Sequence, residues 1–340
     1  MKGLLARWAT WETFLAILTL AVIGYAAYTL PAFTSAFNIS QAIAGASERA
    51  LIAMPMAILI IAREIDLSVA SILSLSSVVF GVAMQSGVPL PAAMALALAT
   101  GALCGAFNGA LVTLAGLPSL VVTLGTLAMF RGIGYILLGP KSVNEFPEPF
   151  TDFGIDTIRN SVLPWTIAPF LVLAPLLYLV LQESATGRRI YAIGGSPDAA
   201  LYSGVRVARI RFMLFVVSGL VSGLAAIVFT ARVANARADN ALGLELDVIT
   251  VALLGGVSVF GGKGKLTGVF WALLLVATVR NMLGLQRIGG DAQGTIIGLL
   301  LIGTLLVSTT TQRLLARARA SRSIPKLEGR ASGGPLMPTP

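Results

Sequence analysis

The chain has 340 residues, 56% of them hydrophobic and 11% charged, with a formal net charge of +9. A soluble domain carries about 25% charged residues, so this balance excludes an ordinary globular chain. The basic residues sit between apolar runs, which argues against nucleic-acid binding, and the absence of histidine removes His-based metal sites, general bases and triads.

A helix needs about 20 largely apolar residues to cross a ~30 Å hydrocarbon core. Ten such spans are predicted in chain order, near 14–30, 42–62, 67–85, 91–115, 118–138, 162–182, 212–231, 247–261, 266–284 and 294–310. The first follows Lys2 and Arg7 and ends at Tyr28-Thr29-Leu30-Pro31, a helix end with no small-residue cleavage site, so it is kept in the mature protein. The second carries Glu48 and Arg49, expected near enough to the outer interface to snorkel. In the fourth, Gly101, Gly105 and Gly109 form a stripe for close helix packing, and Asn108 beside it can bond a neighbouring helix or a sugar. Cys104 in the same run has no second cysteine to pair with.

The eighth span is the weakest, because Gly255-Gly256 interrupts it and Gly261-Gly262 ends it early, the pattern of a segment lying against protein or a cavity. Lys263 and Lys265 are expected to anchor its inner end. The glycines there lack P-loop spacing, and no Walker motif occurs in the chain. Two connections are long. One is a periplasmic loop at 139–161 with turn residues Pro140, Pro147 and Pro149, the other a cytoplasmic loop at 183–211.

With the N-terminus inside, sixteen Lys and Arg fall in cytoplasmic segments against five outside, namely Lys141, Arg159, Arg232, Arg237 and Arg287. The expected product is an all-α polytopic membrane protein of about ten transmembrane helices with both termini cytoplasmic. Residues 1–310 read as a single permease domain, and 311–340 as a basic cytoplasmic tail with a disordered end.

Glu64 and Asp66 lie between spans two and three, and Glu245 and Asp247 just before span eight, both sites reading Glu-apolar-Asp-apolar. Inverted repeats place equivalent segments on opposite faces, so the two acidic segments are expected to bound a translocation path at its opposite ends. Ser68, Ser71, Asn108 and Thr126 are further path candidates, because a sugar needs hydroxyl and amide partners in place of water.

Within the cytoplasmic loop, Ser196-Pro197-Asp198 is a helix start, continued by Ala199, Ala200 and Ser203 and ended by Gly204. By its residues alone this segment is equally a connector whose arginines enforce topology and a docking helix for a cytosolic protein.

This loop resembles that of the ribose-type permeases of ABC importers, a family that includes pentose, rhamnose and autoinducer-2 permeases. The resemblance extends to IDLSVAS at 65–71, LPSLVVTLGTLAMFRG at 117–132 and ELDVITVALLGGVSVFGGKG at 245–264, and covers about residues 10–310. It implies a non-catalytic subunit of the bacterial inner membrane, paired with an identical or homologous permease, resting on a cytosolic ABC ATPase and fed by a periplasmic sugar-binding protein. ATP would be used by the partner, with no cofactor or metal bound by this chain. The segment at 196–204 matches the family's coupling helix. Trp11-Glu12, Glu48-Arg49-Ala50 and Glu64-Ile65-Asp66, the last replacing two glycines found before Ile-Asp in many relatives, are most similar to the rhamnose subunits. The implied function is import of a monosaccharide, rhamnose first, by alternating access. The alternative is an ion-coupled secondary sugar transporter using Asp66 or Asp247.

Overall fold

The computed structural model describes residues 10–290, 292–300 and 302–303, and the expectations for 1–9 and for the tail at 311–340 lie outside them. Among the described residues the architecture is all-α, with β structure limited to isolated bridges, Val143 with Ala236 and Thr157 with Pro164. Thr10 caps α1 (Trp11–Thr29) by accepting from the Thr13 amide, and Ser35 caps α2 (Ala36–Ile61) in the same way through Asn38. Next come α3 (Val69–Gln85), α4 (Leu90–Thr113) and α5 (Ser119–Leu138). The expected outer loop contains a short helix, α6 (Glu148–Ile155), started by Pro147. The sixth span opens with a 3₁₀ turn at Trp165–Ile167, continues as α7 (Ala168–Tyr178) and ends in a wider π turn at Leu179–Glu183.

On the basic face, the expected loop at 183–211 is largely helical. α8 (Ala185–Gly195) is capped by Ser184, whose hydroxyl accepts from the amides of Thr186 and Gly187, and α9 (Pro197–Tyr202) is capped by Ser196. The start of α9 is the one expected; α8 was not. α10 (Val207–Val233), α11 (Leu244–Leu254) and α12 (Leu266–Leu285) follow, and residues 292–300 are helical.

Among the described residues, seven helical stretches are long and apolar enough to cross a membrane: α1, α2, α4, α5, Trp165–Glu183, α10 and α12. Two expected spans are broken. α3 has 17 residues and begins at Val69, after a non-helical approach over 62–68. The span expected at 247–261 is interrupted at Gly255-Gly256, as its glycines predict, and its helix is shorter than the expected bounds. α11 has 11 residues, about 16 Å at 1.5 Å per residue, so it covers half of a bilayer core. Residues 255–265 beyond it form a non-helical connection, and the segment 234–243 between α10 and α11 is irregular as well.

The inner half of α2 is almost wholly buried, and the main apolar core gathers around it from α3, α7, α10, α11 and α12. α4 and α10 meet backbone to backbone along the glycine stripe. A Cβ on Gly105 would collide with the Phe215 carbonyl, one on Gly101 with the Gly219 carbonyl, and one on Gly219 with the Gly101 carbonyl. In lipid, where apolar side chains gain nothing by leaving solvent, such backbone approach is what drives helices together.

Candidate functional site

The broken spans put polar backbone inside an apolar bundle, where each unsatisfied amide or carbonyl costs several kcal/mol. In the first break, over 62–68, α5 supplies the partners. The Ile65 amide donates to the Ser119 hydroxyl at 3.3 Å, and the Thr123 hydroxyl donates to the Ile65 carbonyl at 3.2 Å. Asp66 is fully buried and accepts from the Ser68 amide at 3.0 Å, the Ser68 hydroxyl at 2.6 Å and the Ser218 hydroxyl of α10 at 3.1 Å. Asn108 of α4 donates to the Ser68 hydroxyl at 2.8 Å, and the Ser71 hydroxyl donates to the Ser68 carbonyl at 2.8 Å. This is a neutral-donor cluster: no Lys or Arg pairs with Asp66 among the described residues.

The second break, over 234–243, takes its partners from α3, α5 and the loop at 139–147. Val143 and Ala236 exchange backbone hydrogen bonds at 3.0 and 2.9 Å. The Ser74 hydroxyl donates to the Ala238 carbonyl at 2.6 Å, and Arg131 of α5 donates to the carbonyls of Ala238 and Asn240 at 3.0 and 3.2 Å. Beyond this segment Asp247, in the first turn of α11, meets Arg280 of α12 at 2.6 Å and Arg49 of α2 at 3.2 Å. Arg49 lies 3.9 Å from Glu48, and Glu48 pairs with Arg232 of α10 at 2.8 Å. Three arginines and two carboxylates thus tie four helices together.

Glu48 is 1% exposed, so the expectation that Glu48 and Arg49 snorkel outward is corrected. Each finds an opposite charge within the bundle, which removes the need to reach water. Asp66 reaches Ser218 in the first half of α10, and Asp247 meets Arg49 at the midpoint of α2, so both lie within the bundle.

Of the remaining path candidates, Thr126 is buried and its hydroxyl bonds the Thr123 carbonyl at 3.4 Å. Glu245 sits in the first turn of α11 with one carboxylate oxygen, Oε2, buried. Glu64 pairs with Arg211 at 2.8 Å and lines a cavity of about 640 Å³ on the basic face, with Ile65, Ser119 and Leu201 of α9 in the same wall. Arg131 and Arg280 escaped the sequence reading. Their signal was available: each is an arginine inside an apolar run, a position that demands a partner.

The inner ends of both broken spans meet the α8–α9 corner. The Gly262 amide donates to the Ile61 carbonyl at 2.8 Å. Arg63 donates to the Phe260 carbonyl at 2.7 Å and to the Gly195 carbonyl at 3.2 Å, which holds it in a left-handed conformation (φ 65°) that a side chain normally avoids. Gly194 is packed so closely that a Cβ would collide with the Ile61 carbonyl and the Gly262 amide. Tyr191 of α8 adds a further tie, donating to the Gly264 carbonyl at 2.6 Å while accepting from Gln182 at 2.9 Å. Burial pushes its phenol above the ordinary range, so it stays protonated as a donor.

Trp11 and Glu12 fasten the same end. The Trp11 indole donates to the Leu254 carbonyl at 2.9 Å, and Glu12 pairs with Lys265 at 3.1 Å. Lys265 therefore anchors α12 to α1, a more specific role than a charge at the end of span eight.

Comparison with known proteins agrees with this architecture. Residues 38–305 match the family described as branched-chain amino acid transport system / permease component. The chain is 34% identical over 275 residues to the autoinducer 2 import system permease protein LsrD of Yersinia enterocolitica, covering 79% of this chain and 81% of the relative. It is 33% identical over 330 residues to the corresponding LsrC of Enterobacter sp. strain 638, covering 95% and 93%. The LsrD of Photorhabdus luminescens is 33% identical over 258 residues, 74% and 77% of the two chains. No solved structure matches. A multi-pass helical bundle with two interrupted crossings, matched over most of its length by import permeases, places this chain in the bacterial inner membrane as a non-catalytic subunit: it belongs to the family of transport-system permease components.

Proposed function

We propose that this permease component belongs to an ABC importer and passes a monosaccharide into the cytoplasm by alternating access, driven by a separate ATPase that docks on α9. One observation carries the reading. The α8–α9 corner is clamped by Gly194, Gly195 and Arg63 to the inner ends of both interrupted spans, at Ile61 and at Phe260–Gly262. A displacement of Ser196–Gly204 would therefore move the non-helical segments 62–68 and 255–265 that adjoin the two broken spans. Leu201 of α9 also shares a cavity wall with Glu64, so the same displacement would reshape the inner mouth of the path.

The partners in this reading are a cytosolic ABC ATPase, a second permease subunit and a periplasmic sugar-binding protein. For the cargo, the resemblance at Trp11-Glu12, Glu48-Arg49 and Glu64-Ile65-Asp66 supports rhamnose. The relatives' names favour autoinducer 2 as a second reading. The ion-coupled alternative draws no support from a match to permease components.

Three measurements test the proposal. Asp198→Arg reverses the charge at the exposed start of α9 and is expected to abolish co-purification with the ATPase while leaving the permease folded. Retained ATPase binding and uptake would overturn the coupling role. Uptake of rhamnose and of autoinducer 2 by cells lacking other routes decides the cargo. Transport driven by an ion gradient in proteoliposomes containing the permease alone would return the secondary-transporter reading.

A further inference from the structure

Among the described residues, the arginines near the helix bundle divide into two groups. Arg49, Arg211, Arg232 and Arg280 pair with carboxylates, and Arg63 and Arg131 with backbone carbonyls. Arg189 of α8, Arg206 before α10 and Arg209 in its first turn have no carboxylate partner and are exposed. All three stand on the rim of one cavity of about 580 Å³, between α8, α10, α2 and the sixth span. Below the rim its wall is apolar, including Leu177, Met213 and Val217. Met213 is 50% exposed on the outer side of α10, so the apolar part opens sideways toward hydrocarbon.

We propose that this cavity is a binding site for an anionic phospholipid of the cytoplasmic leaflet, its phosphate held by Arg189, Arg206 and Arg209 and an acyl chain lying against Leu177, Met213 and Val217. The occupant is argued from complementarity. Three unneutralised guanidiniums on the cytoplasmic side call for an anion, and each basic group near such a leaflet adds attraction to acidic lipid. The apolar recess beneath them would be left wet by a free phosphate or an acidic protein surface, whereas a lipid fills both parts. The site lies directly behind α9, since Gly204, at the end of that helix, also lines it. Lipid occupancy would thus brace the segment assigned to ATPase docking, but binding itself does not depend on that assignment.

The test uses the full-length permease, purified without partners, stripped of lipid and mixed with micelles containing phosphatidylglycerol or phosphatidylcholine. Native mass spectrometry reads the retained lipid. One phosphatidylglycerol is expected to be held at least about tenfold more tightly than phosphatidylcholine. The triple variant R189Q/R206Q/R209Q should lose that preference, M213D should weaken retention with the arginines intact, and R287Q on the other face should change nothing. Because the three arginines are exposed, the triple variant should keep the wild-type elution and melting profile.

Equal retention of the two lipids would overturn the proposal, as would undiminished phosphatidylglycerol binding by the triple variant or by M213D. Displacement of the lipid by glycerol phosphate at equal concentration would assign the arginines to a free phosphate. Loss of ATPase co-purification in a triple variant that still holds phosphatidylglycerol would assign them to the protein partner. Either result would also overturn the lipid site.

Discussion

The segments Glu64-Ile65-Asp66-Leu67 and Glu245-Leu246-Asp247-Val248 share one pattern, and each stands where a span is broken, yet their aspartates are held by opposite means. Asp66 precedes its helix, is fully buried and is satisfied by an amide and two serine hydroxyls. Asp247 lies inside its helix, is 22% exposed and sits between two arginines. A dry site with neutral donors is short-ranged and fixed in geometry, whereas a partly exposed ionic site is longer-ranged and responds to its surroundings. The same four-residue pattern therefore serves a rigid joint at one broken span and an adaptable one at the other. α10 contributes to both, through Ser218 and through Arg232.

The largest expected effect breaks both sites together. Gly219→Leu would push α4 away from α10 between Ser218 and Arg232, and loss of monodisperse folded permease on size-exclusion chromatography is expected. Next comes Glu48→Leu, which strands Arg232 without its carboxylate. Breaking one side of a buried pair costs about 3–5 kcal/mol, read as a lowered thermal midpoint in detergent, and Glu48→Leu with Arg232→Met should recover more than half of it.

Asp66→Asn is expected to cost less, about 1–3 kcal/mol, because the amide nitrogen then faces hydroxyl and amide donors. Its loss should be the same at low and high salt. Asp247→Asn should be the mildest, about 1 kcal/mol given its partial exposure, and its effect should shrink as sodium chloride rises from 0.1 to about 1 M, where the screening length falls to ~3 Å. Equal salt dependence of the two Asn variants would erase the distinction between the sites.

Much of this was legible before any coordinates. Composition and run length placed the seven continuous spans, since a stretch such as Val207–Val233 has no soluble alternative. Ser196-Pro197 marked the start of α9, and the Gly101–Gly109 stripe marked a close helix contact, because caps and small-residue ridges are local signals. α8 was missed although Ser184 offered a cap, since its two arginines and its glycines at 187, 194 and 195 masked an apolar face. The glycines at 255–256 marked the interruption of span eight, but apolar content alone did not show how short its helix is or that the segment before it is irregular.

The order of apolar segments was enough to decide the membrane class and the helical content, because the bilayer tests each run of about 20 residues separately. Partnership was decided only in three dimensions. Glu48 with Arg232 is a contact across 184 residues, Asp66 with Ser218 one across 152, and Arg63 with Gly195 one across 132. In a low-dielectric interior a buried charge or bare carbonyl takes whichever partner the packed helices bring within about 3 Å, and no local sequence rule specifies which helix that will be.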